Sequence, residues 1–228
     1  MGVIDLQNIA RSYKVGQVHV TALKNLSLAI DKGDFISIMG PSGSGKSTLL
    51  NVIGCLDRPT EGTYELAGKR VEKLSDSALA DIRNEFIGFV FQRFHLMPTL
   101  DALGNVQLPL IYRGLFGKER RNRAKKALDM VGLSDRIHHT PSQLSGGEQQ
   151  RVAIARAIAM EPSVILADKP TGSLDSKSGL NIMSMFQELN KKHGITIVQV
   201  THAEDMALYG EKIVRILDGE IERIDKVG

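Results

Sequence analysis

Phe35-Ile36-Ser37-Ile38-Met39-Gly40-Pro41-Ser42-Gly43-Ser44-Gly45-Lys46-Ser47-Thr48 decides the fold. The first five residues are almost wholly apolar and read as a strand covered on both faces. They run straight into G-x-x-x-x-G-K-[ST], the pattern of a phosphate-binding loop. Residues 49–55 then read as the start of a helix. The chemistry dictates these residue types. Gly40, Gly43 and Gly45 let the backbone bend until successive N–H groups point inward at phosphate oxygens. The helix adds its unpaired N–H groups and the positive end of its dipole. In this pattern Lys46 reaches the β- and γ-phosphates of a nucleotide and the Ser47 hydroxyl ligates Mg2+. Pro41, Ser42, Ser44 and Thr48 complete the expected binding set. A plain Gly/Ser-rich turn is the bland alternative, and the strand–loop–helix context weighs against it.

Working outward, short β-like runs at 3–9 and 26–30 precede this stretch, and a strand at 63–66, a helix at 76–84 and a strand at 87–91 follow it. From about residue 93 to 160 helical patterns dominate, at 103–111, 118–130 and 147–160. The β/α alternation then resumes with strand 164–167, helix 177–192, strand 195–200 and helix 203–208. Strands at 213–217 and 221–224 flank Asp218-Gly219, a strong hairpin signal. The expected architecture is α/β: a P-loop NTPase core at about 1–92 and 161–228 with an antiparallel β subdomain, interrupted by a helical subdomain at about 93–160. At 228 residues this is one domain.

With 42% hydrophobic and 24% charged residues, the composition is that of an ordinary globular protein, and a net charge of +3 does not by itself distinguish a nucleic-acid binder from a polyphosphate binder. The single cysteine, Cys55, excludes an intramolecular disulfide and fits a reducing cytosol. No apolar run approaches the ~20 residues needed to cross a bilayer, and Met1-Gly2-Val3-Ile4-Asp5 is no secretory signal. A membrane role is therefore expected to come through a partner. The charged run 113–126 is periodic in Ala124, Ala127, Leu128 and Val131. It reads as a solvated helix face and not a nucleic-acid surface. His138, His139 and His193 are expected in solvated loops, without metal-ligand spacing.

Two further segments carry chemistry. Val164-Ile165-Leu166-Ala167-Asp168 is an apolar strand ending in a carboxylate, expected beside the P-loop strand with Asp168 directed at Mg2+. Leu144-Ser145-Gly146-Gly147-Glu148-Gln149-Gln150 places a hydroxyl and two glycines before a helix, forming a second anion-binding terminus. An ordinary serine N-cap would explain Ser145 but not the heptad. Two such helix ends with one nucleotide loop suggest sharing: the loop of one copy and the Ser145 segment of another enclose a single ATP.

With the P-loop, Gln92 in Phe91-Gln92, the Leu144-to-Gln150 heptad, the Asp168 strand, Ser173-Leu174-Asp175 and His202 in this order, the sequence resembles ATP-binding-cassette nucleotide-binding domains along essentially its whole length. Ile53-Gly54-Cys55-Leu56-Asp57-Arg58-Pro59-Thr60-Glu61-Gly62 and Ile87-Gly88-Phe89-Val90-Phe91-Gln92 are similar to the branch serving lipoprotein-release and macrolide-efflux exporters. The resemblance implies ATP and Mg2+ as ligands, with Tyr13 stacked on adenine and Ser47, Gln92 and Asp168 around the metal, the aspartate acting directly or through water. It implies that Ser145, Gly146, Gly147 and Glu148 face the opposite copy's ATP, and that Asp175 forms the dimer contact. His202 is implied to hydrogen-bond the γ-phosphate and orient the attacking water. The implied assembly is a homodimer formed on ATP binding and docked through the helical insert on an integral-membrane permease. It would sit at the cytoplasmic face of the cell membrane, with no nucleic acid.

One residue departs from the family pattern. A glutamate normally follows the aspartate and polarises the attacking water; here it is Lys169. An ammonium is a donor only and cannot accept the water's proton. Hydrolysis is therefore expected to be strongly impaired. Three accounts stay open: a variant made to hold ATP without turnover, a natural cassette acting as an ATP-gated regulatory module through pairing alone, and a hydrolase using another base such as Glu148. Whether the lysine favours the closed ATP dimer or prevents it by pairing with Asp168 also stays open.

Overall fold

The computed structural model describes residues 2–227, with Val15 described by its backbone alone. The chain opens with an antiparallel hairpin, β1 (Gly2–Val15) and β2 (Val18–Asp31). Both strands run well beyond the expected 3–9 and 26–30. The far half of β2 buries no apolar face: Val18, His19, Val20 and Thr21 are all exposed although they alternate in sequence. Register shifts around Arg11 also break the two-residue period on which a sequence reading depends.

The remaining elements follow the expected order: β3 (Phe35–Met39), α1 (Lys46–Ile53), β4 (Glu61–Leu66), β5 (Lys69–Arg70), α2 (Asp76–Phe86) and β6 (Ile87–Phe91). Then come α3 (Ala102–Tyr112), α4 (Gly117–Met130), α5 (Gly146–Ile158), β7 (Val164–Asp168), α6 (Ser176–His193), β8 (Thr196–Val200), α7 (Glu204–Ala207), β9 (Lys212–Leu217) and β10 (Glu220–Lys226). Among the described strands and α-helices, β5, a two-residue exposed strand, has no counterpart in the sequence reading.

Two sheets result. The antiparallel one has the order β2-β1-β4-β5, the other β10-β9-β3-β8-β7-β6. In the second, β9, β3, β8, β7 and β6 are parallel, and β10 closes the edge antiparallel to β9. The expectation that the Asp168 strand lies beside the P-loop strand is corrected here. β8 stands between β3 and β7, with Asp168 level with Val200 and Val200 level with Ile38. The reason is the β7–α6–β8 crossover, which brings the later strand back against β7 on its β3 side. Nothing local to residues 164–168 records that.

Because side chains alternate across a strand, neighbouring residues of β3 feed two different cores. Ile36 and Ile38 join Ile4, Leu23, Leu49 and Tyr64 between the sheets. Phe35 joins Val90, Val106, Leu128, Ile154 and Phe186 under the helices. Ala124, Ala127, Leu128 and Val131 are buried, so the charged run does turn its apolar stripe inward. Phe186 is fully buried in the second core. Phe186→Ala is expected to destabilise the fold by about 3–5 kcal/mol, read as a lower urea midpoint at constant slope. The Cys55 thiol is buried, and that burial pushes its pKa up to about 11, leaving it inert.

Candidate nucleotide site

Residues 40–45 turn the chain from the C-terminal end of β3 into α1. Glycine is required at two points. Gly40 sits at φ +152°, and a Cβ there would lie 2.1 Å from the Ile216 carbonyl oxygen. Gly45, at φ +101°, would place one 2.5 Å from the Ala22 carbonyl oxygen. Helix α1 starts with no side-chain cap and no acidic residue in its first turn, so its N–H groups stay bare for an anion. Pro41, Ser42, Gly43 and Ser47 are exposed around this turn; Thr48 is half-buried.

The Lys46 side chain is buried. Its ammonium donates to the Pro41 carbonyl oxygen and, at 3.3 Å, to Ser44 Oγ. Burial lowers its pKa, and the nearby Lys169 charge lowers it further, against the pull of Asp168. A polyphosphate arriving at the loop would replace two neutral acceptors with charged ones and relieve that cost.

At the end of β7, burial raises the Asp168 pKa, opposed by the charges of Lys169 and Lys46. Its Oδ1 is buried without a hydrogen-bond partner. An orphaned carboxylate oxygen beside the phosphate loop fits a divalent cation. Mg2+ usually takes one or two carboxylates together with substrate phosphates and water, so a single such oxygen is compatible with it.

Lys169 is held at φ +47° with its N–H donated to the Val200 carbonyl oxygen at 2.9 Å. It lines a cleft of about 290 Å³ together with Gly172, Asp175, Thr201 and His202. The fold thus brings His202, just past β8, to Lys169 and Asp175, which share the loop between β7 and α6. Gln92, just past β6, packs against the same loop: a Cβ on Gly172 would lie 2.9 Å from Gln92 Cδ.

Ser145 is the N-cap of α5 and forms a capping box with Glu148. Glu148 Oε2 accepts from Ser145 N and Ser145 Oγ, both at 2.8 Å. These bonds lower the Glu148 pKa, with Arg136, 3.7 Å away, helping. The carboxylate is therefore engaged at its own helix terminus and does not line the Lys169 cleft. A role for Glu148 as substitute base within the chain finds no geometric support. Gly146 and Gly147 lie against α6: Cβ atoms there would meet Leu174 Cδ2 at 3.4 Å and Ser178 Oγ at 3.2 Å. Asp175 caps α6 by accepting from Ser178 N at 3.0 Å.

Three residues to which the sequence reading gave no individual role tie these parts together. Gln150, fully buried on α5, donates to the Pro170 carbonyl oxygen at 2.6 Å and the Phe91 carbonyl oxygen at 3.3 Å. It links the Ser145 helix both to the end of β6 and to the loop after Lys169. Arg156, on the same helix, donates to the carbonyl oxygens of Phe94 and His95, fixing the chain just past Gln92. Asp57 accepts from Tyr13 Oη at 2.6 Å. Gln150 was visible as the last residue of the Leu144-to-Gln150 heptad, without its partners; the other two contacts join segments too far apart in sequence to read.

A glycine loop between a parallel strand and a helix, with a half-buried carboxylate two strands away, defines a P-loop nucleotide-binding protein. The family model described as ABC transporter matches residues 23–172, and the chain belongs to that family. It is similar to the ABC transporter ATP-binding protein YvrO of Bacillus subtilis, with 55% identity over 96% of this chain and 95% of that protein. It is 48% identical to the macrolide export ATP-binding/permease protein MacB of Bartonella henselae, over 99% of this chain but 34% of that longer protein. Among solved structures, the dimeric post-hydrolysis state of the ATP-binding cassette MJ0796 bound to ADP and Pi superimposes with a TM-score of 0.89, at 51% identity and 99% coverage of both chains. The fold is that of the ABC ATPases.

Proposed function

We propose that this chain is the ATP-binding subunit of an exporter, and that it pairs head to tail around two Mg·ATP without sustained hydrolysis. The observation that carries the reading is Lys169, set in one cleft with His202 and acting electrostatically on both Lys46 and Asp168, where a base is needed. Support for pairing comes from the division of parts: a complete phosphate loop at α1 and a separate glycine-flanked helix terminus at Ser145 on the same chain. The dimeric MJ0796 structure supports the same arrangement.

Within this reading Lys46 and the loop N–H groups bind the triphosphate, and Tyr13 stacks on the adenine. Ser47, Gln92 and Asp168 would hold Mg2+, which would neutralise charge on the β- and γ-phosphate oxygens. Ser145 and Gly147 of the second copy close over the γ-phosphate. His202 donates to that phosphate, but the ammonium of Lys169 cannot take the proton of the attacking water. The closed pair therefore persists. By analogy with the MacB proteins, whose names join ATP-binding and permease parts, the helices between residues 93 and 160 would dock a membrane permease at the cytoplasmic face.

Ser145→Arg separates the two half-sites. It is expected to leave ATP binding by the monomer within about threefold of the parent, since the P-loop is untouched, while abolishing the ATP-induced dimer. Equilibrium ATP titration and sedimentation velocity read the two effects. A variant that still dimerises with ATP would contradict the shared site.

A further inference from the structure

Tyr13 sits on β1 opposite Val20 of β2, two residues from Ala22, whose carbonyl oxygen closes against Gly45 of the phosphate loop. The strand segment that carries the tyrosine is therefore close to the loop. The tyrosine hydroxyl donates to Asp57 Oδ2 at 2.6 Å. The same carboxylate accepts from Arg11 Nε at 2.9 Å and pairs with the Arg11 guanidinium at 2.7 Å through Oδ1. The guanidinium carbon of Arg11 lies 4.5 Å from the centre of the Tyr13 ring, so it covers one ring face. Arg11 and Asp57 are only 23% and 20% exposed in their side chains, which separates this cluster from an ordinary surface ion pair.

Asp57 is itself fixed. Its N–H donates to the Asn51 carbonyl oxygen at 3.2 Å, just beyond the last turn of α1. That helix begins at Lys46. One eight-residue helix, about 12 Å long, thus carries the phosphate-binding ammonium at one end and the tyrosine's anchor near the other.

We propose that Asp57 and Arg11 are positioning residues for the nucleobase. Asp57 locks the Tyr13 hydroxyl and Arg11 backs one ring face, leaving the opposite face preset for a purine at a distance fixed by α1. The proposal rests on residues 40–48 being the nucleotide loop and on Tyr13 stacking on the base. It adds the groups that hold the stacking ring in place before the base arrives, so that less side-chain freedom is lost on binding. The clamp offers the base a ring face and no hydrogen-bonding partner, so it acts alike on adenine and guanine.

The test is equilibrium binding of ATP, GTP and inorganic tripolyphosphate to the full chain and to Tyr13→Phe, Asp57→Ala, their double variant and Tyr13→Ala. Removing a hydrogen bond to a carboxylate should weaken ATP and GTP about tenfold in either single variant. The double variant should be no weaker than Asp57→Ala alone, and tripolyphosphate affinity should stay unchanged throughout. Parallel loss of tripolyphosphate binding would mean that Asp57 merely supports the loop, and would overturn the proposal. So would ATP affinities within about twofold of the parent in Tyr13→Phe and Asp57→Ala while Tyr13→Ala fails to bind. If Tyr13→Ala too binds ATP like the parent, the stacking role itself is wrong and the clamp falls with it. Tyr13→Phe deletes one oxygen atom and keeps the ring, so a folding defect in Asp57→Ala leaves the comparison readable.

Discussion

Lys169→Glu is expected to raise steady-state phosphate release by about 10²–10⁴-fold, the usual worth of general acid–base assistance. The backbone at residue 169 is held by its own hydrogen bond to Val200 and by the Gly172 N–H donated to its carbonyl oxygen, so the replacement side chain should leave from the same place. That place is the His202 cleft, next to Asp168. Glutamate there supplies an acceptor for the water's proton and removes a positive charge that depresses the Lys46 pKa. Equal and appreciable rates in both proteins would show that another group serves as base and would end the account of a missing one.

Lys46→Ala should weaken ATP binding by about a hundredfold, because two charge-assisted bonds to phosphate oxygens are lost together. The free protein should behave differently. Burial and Lys169 both lower the Lys46 pKa, so its charge is held in the empty fold at a cost, and removing it should leave the thermal midpoint without nucleotide unchanged or slightly raised. The sign for pH follows. A group whose folded pKa is lowered opposes folding while charged, so that penalty fades as pH rises through the folded value towards the unfolded one. ATP titrations with thermal melts check both halves. A variant that loses its fold along with its ATP would show Lys46 to be structural.

The P-loop was legible because its signal is local: a strand, three glycines, Lys46 and Ser47 within fourteen consecutive residues. The helices showed for the same reason, since α3, α4, α5 and α6 bury one stripe at a period the sequence displays. What stayed hidden depends on the path of the chain between elements. The separation of β7 from β3 by β8 is set by a crossover. The outer half of β2 is exposed, and register shifts interrupt its pairing with β1. The Tyr13–Asp57 bond joins residues 44 apart in sequence. Ser145 also illustrates a limit of motif reading: in the free chain its hydroxyl is engaged with Glu148, so the same serine is both an ordinary cap and a candidate phosphate ligand. In the proposed shared site, ATP of a second copy would have to take over that hydroxyl proton.

Sedimentation velocity of the unmodified chain with and without Mg·ATP tests the central claim most directly. The account expects a monomer without nucleotide and, at saturating Mg·ATP, a dimer that persists for hours with the bound nucleotide still ATP. A chain that stays monomeric at saturating Mg·ATP, or a dimer that falls apart within minutes as its ATP becomes ADP, would contradict it.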